Sequence, residues 1–177
     1  MTQPQSAIQR EIRQRRPFQS RSQEGVIALL RTADVVRRVL ARVVEPHGIT
    51  LQQYNVLRIL RGAGAEGLPT LEVGERMIEQ TPGVTRLLDR LEAKGLVRRK
   101  RCPHDRRQVL CFATPAARRL VDQLDAPMDR ADRDALRALE TGELDALLRA
   151  LDRVRSGHAP RGHAPQDRSR AHALKPT

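Results

Sequence analysis

Residues 81–107, TPGVTRLLDRLEAKGLVRRKRCPHDRR, constrain the fold more than any other stretch. Val84, Leu87, Leu88 and Leu91 recur at i, i+3, i+4 and i+7, which places all four on one stripe of a helix. Thr81 can accept a backbone N–H as N-cap, and Pro82 at the first helical position lacks only an N–H that has no partner there. Gly95 follows the last periodic residues, as a helix C-terminus requires. The face opposite the stripe carries Thr85, Arg86, Asp89 and Arg90. Beyond Gly95 the period changes. Leu96-Val97 leads a basic run, Arg98 to Arg101, and Val109-Leu110-Cys111-Phe112 returns as a second β-rich segment. A helix, a turn and a hairpin with a charged tip are expected.

The upstream chain supplies the rest of a helix-turn-helix. Residues 23–45 read as a long helix whose apolar face, Val26 through Val43, is wide enough to be buried on two sides. Pro46 and Gly48 stop it. Thr50 and Gln53 form a capping box for a helix that buries Leu51, Tyr54, Val56, Leu57 and Leu60. Residues 61–67 are a glycine-rich turn. Thr70 then reads as the N-cap of a helix to about Ile78, with Leu71, Val73, Met77 and Ile78 inward. After the hairpin, Thr114-Pro115 opens a helix to about residue 137, which Pro127 should kink or interrupt. A last helix spans about 141–155. These two helices form either a local hairpin or, as favoured here, a dimer interface shared with the first long helix. The expected fold is mainly α with a small β-hairpin wing. A basic N-terminal arm (1–22), read as packing on a partner subunit, precedes a helical dimerisation region (23–48 and 115–155). A winged helix-turn-helix domain (49–114) and a disordered basic tail (156–177) complete it.

Charge placement agrees with that division. The net charge of the 177 residues is +12, and residues 81–107 hold nine Lys/Arg against three acids. Residues 115–155 hold eight basic and nine acidic side chains, so the excess is not spread evenly. Focused positive charge is the footprint of phosphate binding. Aromatics are only 2%, so the core must be aliphatic, which favours helix packing. No apolar signal segment and no run approaching about 18 apolar residues is present, so no membrane partner and a cytoplasmic location are expected. Two cysteines make no disulfide scaffold, which fits a reducing compartment. No metal-ligand spacing, phosphate loop or nucleophile–base pair stands out, so neither cofactor nor enzyme activity is expected.

Among individual residues, Thr85, Arg86 and Arg90 should face a major groove, where an arginine can pair with guanine. Thr81 and Gly83, near the positive end of the helix dipole, suit phosphate contact through backbone N–H groups. Thr70 and His104 are further DNA-facing candidates. Cys102 and Cys111 flank the hairpin tip. Facing each other they could respond to oxidation, but two inert small side chains are the preferred reading.

The order LQQYNVLRIL, LEVGERM, TPGVTRLLDRLEAKGLVRR, DRRQVLCFATPAA and two further helices resembles the multiple antibiotic resistance regulator (MarR) family over residues 23–155. The resemblance implies a homodimer with interlocked first and last helices, whose winged domains read a pseudo-palindromic operator in double-stranded DNA. It also implies a repressor released by a small aromatic or phenolic effector or by cysteine oxidation, although no cysteine lies on the first helix here. At the wing, Asp105, Arg106 and Arg107 match the family's tip, where the acid orients an arginine into the minor groove while its neighbour touches phosphate. Which arginine inserts stays open. The family's effector pocket, between dimer helices and winged domain, makes His47, Tyr54 and Arg58 candidate ligand contacts. The competing reading is an architectural DNA-binding protein of weak sequence preference.

Overall fold

Local capping sets most of the helix starts in this computed structural model, which describes residues 5–79, 83–103, 105 and 107–158. The chain divides into two units, residues 1–135 and 136–177. In the first, a short helix α1 (Ala7–Glu11) precedes the long helix α2 (Arg21–Val44). Ser20 accepts the N–H of Gln23 and so starts α2 two residues earlier than its apolar period suggests. The arm rests on its own chain, with Glu11 bound to Arg31 of α2 at 2.7 Å.

A 3₁₀ turn (Glu45–His47) leads to α3 (Leu51–Gly62), opened by the expected Thr50–Gln53 capping box. Residues Leu68–Pro69 form a two-residue strand, β1, that the sequence reading missed. Pro69 suits it because β1 is an edge strand, where a missing N–H need not break the ladder. Helix α4 (Thr70–Glu75) follows, then α5 (Val84–Ala93), β2 (Val97–Arg101) and β3 (Val109–Ala113). The sheet order is β1-β3-β2, antiparallel, with Leu68 opposite Cys111 and Arg99 opposite Cys111 on its other side. Helix α6 (Pro115–Leu136) starts with Thr114 accepting the N–H of Ala117.

Two expectations about α4 fail. The helix has only six residues, and its inward positions are Val73 and, past its end, Met77. Leu71 lies two residues, about 200°, from Val73 and is 75% exposed; Ile78 lies beyond the last turn and is 82% exposed. Pro127 does not interrupt α6 either. Leu124 and Met128 on either side of it are buried, and their burial offsets the lost backbone bond, which costs about 3 kcal/mol.

The aliphatic core lies where α3, α5, α6 and the sheet meet, with Leu57, Leu60, Leu88, Leu91 and Leu124 fully buried. In the second unit, Glu140 and Glu143 form a capping box for α7 (Thr141–Ser156), which buries no residue within it. Residues 159–177, most of the basic tail, lie outside the described residues.

Candidate nucleic-acid interface

Helix α5 is built as its sequence stripe implies. Leu88 and Leu91 are fully buried, Val84 and Leu87 are half-buried, and Thr85, Arg86, Asp89 and Arg90 are exposed. Its C-terminus closes as a Schellman motif: Leu96 N–H donates to Leu91 O at 2.9 Å and Gly95 N–H to Glu92 O at 2.8 Å. Gly95 has φ 68°, a conformation that costs an L side chain strain. At the other end the helix begins at Val84 with Gly83 as N-cap, two residues later than Thr81 would place it. Thr81 and Pro82 lie outside the described residues, as do His104 and Arg106.

Charge on this surface is partitioned by pairing. Arg99 of β2 donates to Glu92 from Nε at 2.8 Å and from Nη2 at 2.5 Å, and Nη2 also lies 2.6 Å from Asp89. The Arg99 guanidinium holds the Glu92 carboxyl below its usual range. Arg86 and Arg90 make no ion pair among the described residues, so Asp89, their sequence neighbour, does not neutralise them. Arg98, Lys100 and Arg101 are exposed along β2, and Arg98 stacks on the Phe112 ring with 5.1 Å to its centroid.

At the hairpin tip, Asp105 organises the turn. Among the described residues its carboxylate accepts the Arg107 N–H at 3.0 Å and the Gln108 side-chain amide at 3.0 Å. Cys102 N–H donates to Gln108 O, which closes the hairpin and sets Cys102 opposite Gln108. Cys111 instead pairs with Arg99. The two cysteines therefore do not face each other. Burial raises the Cys111 thiol, with the Thr70 hydroxyl 3.5 Å from its sulfur acting in the opposite direction.

Thr70 is the first residue of α4, and Pro69 takes the N-cap position. Its hydroxyl turns to the sheet, towards Val109 O at 3.4 Å as well as Cys111, and is not a helix cap.

The three candidate ligand residues are only partly assembled. Tyr54 is buried with the Arg58 guanidinium 5.9 Å from its ring centroid, and burial raises its hydroxyl; His47 is exposed on the 3₁₀ turn. None of the three lines the cleft of about 330 Å³ that opens between α2, α3 and α5. That cleft is walled by Leu51, Met77, Ile78 and Leu87, with Arg37 and Arg90 among its polar residues. Glu79 lies in it, hydrogen-bonded by the Gln52 amide at 2.9 Å and Arg37 at 2.9 Å, and both hold its carboxyl below the usual range. The sequence reading missed this cleft because its residues come from four separated segments, and no spacing links them. Among the described residues no cluster of metal-ligating side chains occurs, and no helix is long and apolar enough to cross a membrane.

A family model described as the MarR family matches residues 47–108. The HTH-type transcriptional regulator TtmR of Methylorubrum extorquens (strain PA1) is 36% identical over 107 residues, 60% of this chain and 54% of that protein. The chain thus spans about half the length of this curated relative. A MarR transcription factor from Planctomyces limnophilus is 35% identical with a TM-score of 0.60, covering 77% of this chain and 98% of that one. A MarR variant from E. coli, solved in complex with operator DNA, is 25% identical with a TM-score of 0.66, covering 72% of this chain and 90% of that one.

Proposed function

The chain belongs to the MarR family, whose fold is the winged helix described above, and from that premise we propose that it is a homodimeric repressor of transcription. Helix α5 enters the major groove of a pseudo-palindromic operator, and the β2–β3 hairpin reaches the adjoining minor groove. Thr85, Arg86 and Arg90 read base edges; Gly83, with Thr81, contacts phosphate. At the tip, one of Arg106 and Arg107 enters the minor groove and the other, with His104, meets the backbone. The observation that carries this reading is the exposed pair Arg86 and Arg90, unneutralised among the described residues, beside a hairpin with an exposed cationic strand. The relative complexed with operator DNA supports it.

The second copy is expected on α2, where Val26, Leu29, Leu30 and Val35 are 57, 42, 66 and 41% exposed. Exposed apolar surface on that scale marks an interface. Dimerisation sets the two α5 helices about 34–36 Å apart, one turn of the duplex, so that each reads a half-site. The cleft beside α5 suits an effector: a small aromatic or phenolic acid could place its ring against Leu51, Met77 and Leu87 and its carboxylate at Arg37 or Arg90. Occupying Arg90 would take it from the DNA. The protein would act in the cytoplasm, by binding rather than catalysis.

Selection of genomic fragments by the native chain tests the reading. Recovery of a shared inverted repeat, bound at least about 10³-fold more tightly than scrambled duplex at physiological salt, is expected. Equal, salt-steep affinity for all duplexes would favour the architectural alternative.

A further inference from the structure

Helix α5 and the hairpin are joined covalently only through the turn at Gly95, yet the proposed DNA contacts require them to reach two grooves at once. The geometry points to the Asp89–Arg99–Glu92 cluster as the positioning clamp that sets the hairpin relative to the recognition helix, a role that rests on the DNA-binding reading above. Glu92 and Asp89 lie one helical turn apart on α5, and Arg99 is the third residue of β2. Because β2 is an edge strand, its outward N–H groups have no strand partner. Glu92 takes one of them: Arg99 N–H donates to Glu92 Oε1 at 3.1 Å, while Nε and Nη2 of the same residue hold Oε2. Backbone and side chain of one residue are thus tied to one carboxylate, and Asp89 binds Nη2 from the preceding turn. The Arg99 side chain is 24% exposed, the least of the three. Its Nε and Nη2 are committed to two acids that compensate its charge, which suits it to fixing an angle more than to holding phosphate. Across the sheet, Cys111 opposes Arg99 and touches Thr70 of α4, so the clamp bears on strands already anchored to the other helix of the motif.

The test is the isosteric variant Asp89→Asn/Glu92→Gln in the full chain, whose new amides keep shape and can still accept the Arg99 N–H. Bulk electrostatics predicts tighter DNA binding, because two negative charges leave a surface apposed to phosphates and Arg99 is freed. The clamp predicts the opposite sign: about tenfold weaker binding to the duplex selected by the native chain. In footprints, hydroxyl-radical protection of the minor groove under the hairpin should disappear, while guanine N7 protection under α5 persists. A thermal melt controls for folding; if the double variant is unfolded at assay temperature, Asp89→Asn, which leaves all three Glu92 hydrogen bonds, serves instead. Undiminished affinity with intact minor-groove protection overturns the clamp. A native chain that protects no duplex at all instead overturns the DNA-binding reading, so the two failures are distinguishable.

Discussion

Arg86 and Arg90 stand one helical turn apart on the exposed face of α5 with no ion pair among the described residues, whereas Arg99 is held by two carboxylates. Three arginines of like chemistry therefore differ in what they can still bind. A free guanidinium paired with guanine discriminates by about 1–3 kcal/mol, so Arg86→Ala should lower the preference for the selected duplex over a scrambled one about 5- to 150-fold. Fluorescence anisotropy on the two duplexes measures the ratio; an unchanged ratio would remove Arg86 from base reading. The cysteines differ as sharply. Cys111 is fully buried with its thiol raised by that burial, and Cys102 is half-buried. Native protein treated with a maleimide should label at Cys102 first and at Cys111 only as it unfolds, which peptide mass spectrometry would resolve. Equal labelling would show that the sheet opens at this edge.

At the scale of elements, glycines at two turns set where strands and helices can meet. A Cβ at Gly67, which has φ 69°, would lie 2.5 Å from the Phe112 ring and 2.8 Å from Cys111 O. At Gly95 nothing lies within 4 Å of such a Cβ, so only the backbone conformation opposes substitution. Gly95→Ala should cost about 1–2 kcal/mol, and Gly67→Ala more, because steric overlap adds to the backbone term. Urea unfolding orders the two, and the reverse order would mean that β1 shifts freely. The need at Gly95 was legible because it ends a periodic stripe. The strand that needs Gly67 was not: two residues, one of them proline, carry no periodicity, and β1 exists only because β3 offers a free edge to Leu68 and Pro69. Likewise, Leu71 and Ile78 look as core-like as Val73 and Met77. Helical phase turns Leu71 away from Val73, and the stop of α4 at Glu75 decides that Met77 faces inward while Ile78 does not.

For the whole molecule, carboxylates held by partners on other elements set the acid response. Arg99 lowers the Glu92 carboxyl from its ordinary 4.5, Gln52 and Arg37 lower Glu79, and Arg61 of α3 lowers Asp125 of α6. Each folded value lies below the unfolded one, so the contribution is complete above the ordinary carboxylate range and vanishes as pH falls through the depressed value. Melting temperature should therefore decline below about pH 4.5, and less steeply in Asp125→Asn than in the native chain. An equal slope would leave the Arg61–Asp125 link without effect on stability. Association is testable on the same scale. Leu30→Glu places a charge on the exposed apolar face of α2, where it meets no core residue, and should convert a dimer to monomer in sedimentation while helical circular dichroism is retained. A native monomer at micromolar concentration would exclude the proposed homodimer.

What could be read from residue order was what repeats or punctuates: the α5 stripe, the Thr50–Gln53 box, Gly95, and the two β-rich runs that became the hairpin. These depend on neighbours within a turn or two, and folding leaves them in place. The partition of charge did not follow the same rule. Asp89 adjoins Arg90 in the chain but binds Arg99 from the strand, Glu79 binds Arg37 of α2, and the cleft beside α5 draws on four segments. A charged side chain samples every partner that folding brings within reach, so its pairing is settled by distances that no spacing in the sequence encodes.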